Sequence, residues 1–160
     1  MISAACGKRW LKSGRSALNN YLVVDASLTL RILTPHPERA FFRALFDQWR
    51  QEGLALCAPS LWTYEVTCAV TKLVRFDQIA ADQGRKTVQL IQRSAIQLFE
   101  PDDLLIERAF AWTLQLQRAA AYDSFYLALA EQLKCDLWTA DQRLANAANQ
   151  PWVHFASPAS

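Results

Sequence analysis

Four carboxylates fall at the punctuation points of this chain. Asp25 closes the apolar run YLVV, Glu65 lies early in LWTYEVTCAVTKLVRF, Asp123 opens DSFYLALAEQLKC, and Asp141 follows DLWTA. Brought close together, four such groups repel one another and raise their own pKa values, so the arrangement calls for a cation or for protonation. Hard oxygen donors without His or Cys favour Mg²⁺ or Mn²⁺, which keep several waters and bind through few carboxylates plus a substrate phosphate. A site of this kind activates water and stabilises the leaving oxygen in phosphodiester hydrolysis. Ser27 and Thr139 each lie two residues from a candidate ligand. They are candidates to position water or phosphate, against the commoner structural use of turn hydroxyls.

These acids act together only if the elements between them bring them to one place. YLVV reads as a buried strand stopped by Asp-Ala-Ser. After the turn at Thr34-Pro35-His36-Pro37, Phe41, Phe42, Leu45, Phe46 and Trp49 recur at helical spacing up to Gly53, and LALCAP is a second strand. Ser60 is a plausible cap for the next helix, whose Leu61, Tyr64, Val66, Ala69, Val70 and Leu73 are expected to face a core. One or two helices over DQIAADQGRKTVQLIQRSA lead to a third strand, IQLF. The helices DDLLIERAFAWTLQLQRA and DSFYLALAEQLKC, the strand DLWTA and a short fifth strand WVHF complete the chain.

Strands alternating with helices predict an α/β fold: a three-layer α/β/α sandwich around a mostly parallel sheet of four to five strands. In such a sheet the start of the helix at Asp123 and the end of the strand before Asp141 lie at one edge. Asp25 ends the first strand at that same carboxyl edge, where open parallel sheets place their ligands. The helix after the second strand opens there too, so Glu65 can join them.

The chain has 160 residues, enough for one domain with one well-filled core. Residues 1–20 are expected to be a flexible basic arm or the product of an upstream start codon, 21–156 the folded domain, and 157–160 a tail. No apolar run approaches the roughly 20 residues of a membrane span, and there is no signal-peptide core, so no membrane association and a cytoplasmic location are expected. Cys6, Cys57, Cys68 and Cys135 are too scattered for a zinc knuckle or redox motif. The net charge of +2 neither supports nor excludes nucleic acid, because capture depends on clustered cations.

The segments VVDAS, APSLWTYEVTCAV, YDSFYLALAEQL and LWTADQRL, in this order, resemble the PIN-domain family, specifically the VapC-type toxin ribonucleases of type II toxin-antitoxin systems. The resemblance runs from Tyr21 to about Phe155. It implies a PIN-like fold, Mg²⁺- or Mn²⁺-dependent cleavage of RNA, a homodimer and a cognate antitoxin. Asp25, Glu65, Asp123 and Asp141 match the catalytic, metal-holding acids, with Thr139 beside the last. Family members often carry Asn three residues after the glutamate, where this chain has Cys68.

Plainer uses compete for each residue. Asp25, Asp123 and Asp141 could be helix caps or turn residues, and Glu65 could simply reach solvent. Asp102 and Asp103 suit a helix start, and Asp136 enters its strand at the far edge. RNA would need cations near the acids, and Arg118 and Arg143, flanking the last two, are the candidates to touch phosphate. Three other readings remain. DASLT, with Thr29 last, resembles the metal-adhesion motif of von Willebrand factor A-like binding modules, which bind without catalysis. A phosphotransfer enzyme also uses strand-end acids, but no second Asp stands two residues after Asp25. A PIN-like scaffold without activity would serve as a binding partner.

Overall fold

The computed structural model describes residues 20–158, so all of the expected N-terminal arm but Asn20 lies outside the described residues, as do the last two residues of the tail. Along the chain run β1 (Tyr21–Val24), α1 (Ala26–Leu33), α2 (Arg39–Gln51), β2 (Ala55–Pro59), α3 (Leu61–Arg75), α4 (Ala81–Gln92) and β3 (Gln97–Phe99). Then follow α5 (Asp103–Gln115), α6 (Tyr122–Leu133), β4 (Asp136–Thr139), α7 (Gln142–Ala148) and β5 (Val153–Phe155). The strands form one sheet in the order β3-β2-β1-β4-β5, and every pairing is parallel. The expected α/β/α sandwich is therefore present.

Each strand feeds both faces of the sheet, as the period of two requires. Leu22, Val24, Leu56 and Trp138 pack on one face against Phe42, Leu45, Phe46 and Trp49 of α2. Val23, Cys57 and Leu137 face the other way, onto Trp62 and Val66 of α3 and the apolar run Leu127–Ala130 of α6. Because α6 is covered by the sheet on one side and by α5 on the other, it reads as apolar nearly all round. Among the described residues no helix is long and apolar enough to cross a membrane.

Two local expectations change, and a segment the sequence left unassigned takes shape. The residues after Asp25 form helix α1. Its N-cap is Asp25, whose Oδ1 accepts from the Leu28 N–H at 3.0 Å. Ser60 does not cap α3: its own backbone is helical, and its hydroxyl donates instead to Glu100 Oε2 at 2.9 Å. Tyr64, expected on the core face of α3, is 73% exposed, because Trp62, Val66 and Val70, spaced by four, already fill that face.

Candidate active site

The strand order places the chain's switch point between β1 and β4, since β2 and β3 extend the sheet one way and β4 and β5 the other. Asp25 and Asp141 leave the carboxyl ends of those two strands. The join is built from hydroxyls. Thr139 Oγ1 donates to Asp25 Oδ2 at 2.5 Å and accepts from the Asp141 N–H at 2.8 Å. Ser27 Oγ donates to Asp25 Oδ1 at 2.7 Å and accepts from the Ala140 N–H at 2.9 Å. Both predicted supporting residues thus reach across the switch point and hold Asp25, with Thr139 fully buried.

Asp25 is itself buried, and burial pushes its carboxyl up to about 6 against the pull of the Ser27, Thr139 and Leu28 hydrogen bonds, with the Asp123 charge adding to the rise. Glu65 lies in the second turn of α3. Its carboxyl is raised first by burial and then by the charges of Asp123 and Asp25, while a hydrogen bond from Tyr126 works the other way. Asp123, in the first turn of α6, is raised by burial and by Asp141, and lowered by Arg118, whose Nη1 lies 3.9 Å from Asp123 Oδ2. The four predicted acids therefore feel one another, and Arg118 stands among them.

The plainer uses are partly realised. Asp141 caps α7, its Oδ1 accepting from the N–H groups of Arg143 and Leu144 at 2.8 and 3.2 Å, which engages one carboxylate oxygen. Asp123 is not a cap, since α6 begins from Ala121. Arg143 is exposed on the first turn of α7, and the structure shows its backbone, not its guanidinium, at Asp141. Asp102 caps α5 through Leu105 N–H, and Asp136, 3.2 Å from His154 Nε2, sits at the start of β4, away from the other acids. The adhesion-motif likeness of DASLT is not kept: the Thr29 hydroxyl is buried between the Trp62 indole N–H, at 3.1 Å, and the Asp25 carbonyl.

Tyr126 was not anticipated. It is buried on α6 one turn after Asp123, and its hydroxyl donates to Glu65 Oε2 at 2.5 Å. Burial and the charges of Glu65 and Asp25 push its phenol up, so it keeps its proton and acts as the donor. In sequence it is one more aromatic in an apolar helix, 61 residues from its partner. Cys68, in the place of the usual Asn, is exposed.

The donors are all oxygens and their charge is largely unbalanced, which suits a hard divalent cation. Among the described residues no group of three His, Cys, Asp or Glu side chains stands close enough together to hold a metal ion by itself. Mg²⁺ needs no such group, because it keeps most of its waters and takes one or two protein carboxylates plus phosphate. The residues present thus fit such an ion.

The family model "PIN domain" matches residues 22–150 of the chain. The protein called ribonuclease VapC9, from Mycobacterium tuberculosis, is 34% identical over 125 residues, which cover 78% of this chain and 89% of that protein. Among solved structures, FitAcB from Neisseria gonorrhoeae superposes with a TM-score of 0.65 at 17% identity, covering 84% of this chain and 96% of that one. A toxin-antitoxin complex from Klebsiella pneumoniae superposes with a TM-score of 0.58 at 16% identity, covering 83% and 95%.

Proposed function

The chain belongs to the PIN-domain family, and from that premise we propose that it is a divalent-metal-dependent endoribonuclease, the toxin of a type II toxin-antitoxin pair. The observation that supports this best is the convergence of Asp25, Glu65, Asp123 and Asp141 at the carboxyl edge of the parallel sheet, three of them with raised carboxyl pKa values. Carboxylates held against their own repulsion and burial form a site awaiting positive charge. A relative bearing the name ribonuclease, matched over most of both chains, supplies the substrate class.

Asp25, Glu65, Asp123 and the uncapped Oδ2 of Asp141 would hold Mg²⁺ or Mn²⁺. Bound there, the ion supplies charge stabilisation to a phosphoryl group and a lowered pKa to an attacking water. The chain's own part is placement. Ser27, Thr139 and the Leu28 N–H fix both oxygens of Asp25, so that carboxylate cannot swing away. Arg118, 3.9 Å from Asp123 in the free protein, offsets part of its charge and can exchange that partner for an RNA phosphate, a charge-assisted contact that suits its guanidinium. Arg143, exposed next to Asp141, is a second phosphate contact in this reading.

The partners are RNA, a cognate antitoxin protein and a second copy of the chain in a homodimer, acting in the cytoplasm. The test is cleavage of total RNA by the purified protein with Mg²⁺ or Mn²⁺, with EDTA, and by Asp123→Asn. Discrete fragments that vanish with EDTA and fall at least about 100-fold in the variant are expected, on the scale of losing a group that acts on the transferring phosphoryl. Undiminished cleavage by folded Asp123→Asn would remove Asp123 from the site. No cleavage by a folded protein would favour a binding module.

A further inference from the structure

Tyr126 joins two of the four acid-bearing segments, α6 and α3, through a single atom. The residue lies on α6, one helical turn beyond Asp123. Its hydroxyl donates to Glu65 Oε2 of α3 at 2.5 Å. The backbone of Ala26, the first residue of α1 and the neighbour of Asp25, also bears on that hydroxyl, working against the burial and charge that push the phenol up.

We propose that the Tyr126 hydroxyl is a positioning group of the carboxylate site, fixing Glu65 of α3 relative to Asp123 of α6 so that a divalent cation meets the Glu65 carboxylate already held. This rests on the metal-dependent reading above. The ring is 2% exposed and locked in the core beneath the sheet, so its oxygen is a fixed point. Glu65 is a long, flexible side chain on a half-buried helix face, and a partner that orders it beforehand removes that entropy loss from the step in which a cation binds. A neutral phenol pins it without adding charge. A lysine or arginine in the same place would hold Glu65 equally well and would compete with the cation for it. With Oε2 engaged by Tyr126, Oε1 is the oxygen of Glu65 that would be offered to a cation.

Tyr126→Phe removes one oxygen and leaves the ring's packing. The primary readout is Mn²⁺ affinity of the full chain by titration calorimetry without RNA. It is expected to fall about 10- to 100-fold, the usual effect of losing a group that orients a metal ligand, while the circular dichroism spectrum and cooperative unfolding are retained. With RNA, kcat is expected to fall with KM within about twofold, as for a group that arranges the reacting centre and does not touch the substrate. In a Glu65→Gln background the same change should cost no more than about threefold, because the ligand it positions is already altered. Mn²⁺ binding by Tyr126→Phe within about twofold of the parent, on that same scale, would overturn the proposal. So would a variant that does not fold, since the hydroxyl would then serve stability. If the parent itself binds no Mn²⁺, the metal reading falls and takes this proposal with it.

Discussion

Asp25 is the most deeply buried of the four acids, and its environment makes a statement about stability as well as chemistry. In the unfolded chain it ionises near an ordinary 3.8, and in the folded protein at about 6. Between those values the folded state holds the extra proton, so the metal-free protein loses stability as pH rises through the window. Below 3.8 both states are protonated and the effect is absent; above 6 the penalty is complete, about 3 kcal/mol from the difference of roughly two units. Urea unfolding of the metal-free parent and of Asp25→Asn should therefore diverge: the parent loses about that much more stability than the variant between pH 4 and pH 7. The raised carboxyls of Glu65 and Asp123 push in the same direction, so the comparison must be made against the Asn variant to isolate Asp25. A divalent cation favours the ionised carboxylate and should flatten the slope. The acids themselves were legible because strand ends and helix starts announce where they sit. Tyr126 was not, since nothing local distinguishes a tyrosine that reaches a distant glutamate from one that only fills a core.

At the scale of elements, what the sequence concealed was set by contacts between segments. Helix α1 has only eight residues, and its Leu28, Leu30 and Ile32 alternate as a strand would. Its conformation is secured by the local Asp25 cap and by the bond from Trp62, 33 residues away, to Thr29, and the second of these a reading of neighbouring residues does not supply. Ser60 has the right residue type for a cap and lacks the role, because Glu100 lies within reach of its hydroxyl. The longer helices were legible from their periodicity alone. Gly84 shows a constraint of the same tertiary kind. It sits inside α4, where alanine would ordinarily help by up to about 1 kcal/mol. Here a Cβ would meet Val74 Cγ2 of α3 at 2.5 Å, and a β-branched side chain has little freedom to withdraw. The overpacking term of about 1–3 kcal/mol is expected to win. Gly84→Ala should therefore lower the thermal midpoint, and an unchanged or raised midpoint would show that the α3–α4 contact yields easily.

Across the whole molecule, the site depends on parts of the chain far apart in sequence: the end of β1, the second turn of α3, the first turn of α6 and the end of β4. Parallel topology brings them to one edge, and the order β3-β2-β1-β4-β5 puts the switch point, where open parallel sheets place their ligands, between β1 and β4. The alternation of strands and helices made the layers legible. The strand order was not, because each crossover leaves open which neighbour the next strand pairs with. A cation joining these four segments would bind the folded chain and not the unfolded one, so on the proposed reading it should stabilise the molecule as a whole by mass action. At a free Mn²⁺ concentration 100 times the dissociation constant, the gain is about 2.7 kcal/mol. For a chain of this size that raises the thermal midpoint by roughly 5–10 °C. Differential scanning calorimetry with Mn²⁺ and with EDTA reads it directly. The increment should shrink in Asp123→Asn and in Asp25→Asn and persist in Gly84→Ala, whose defect lies in helix packing. An increment equal in the parent and in both aspartate variants would place the ion somewhere other than the carboxyl edge of the sheet.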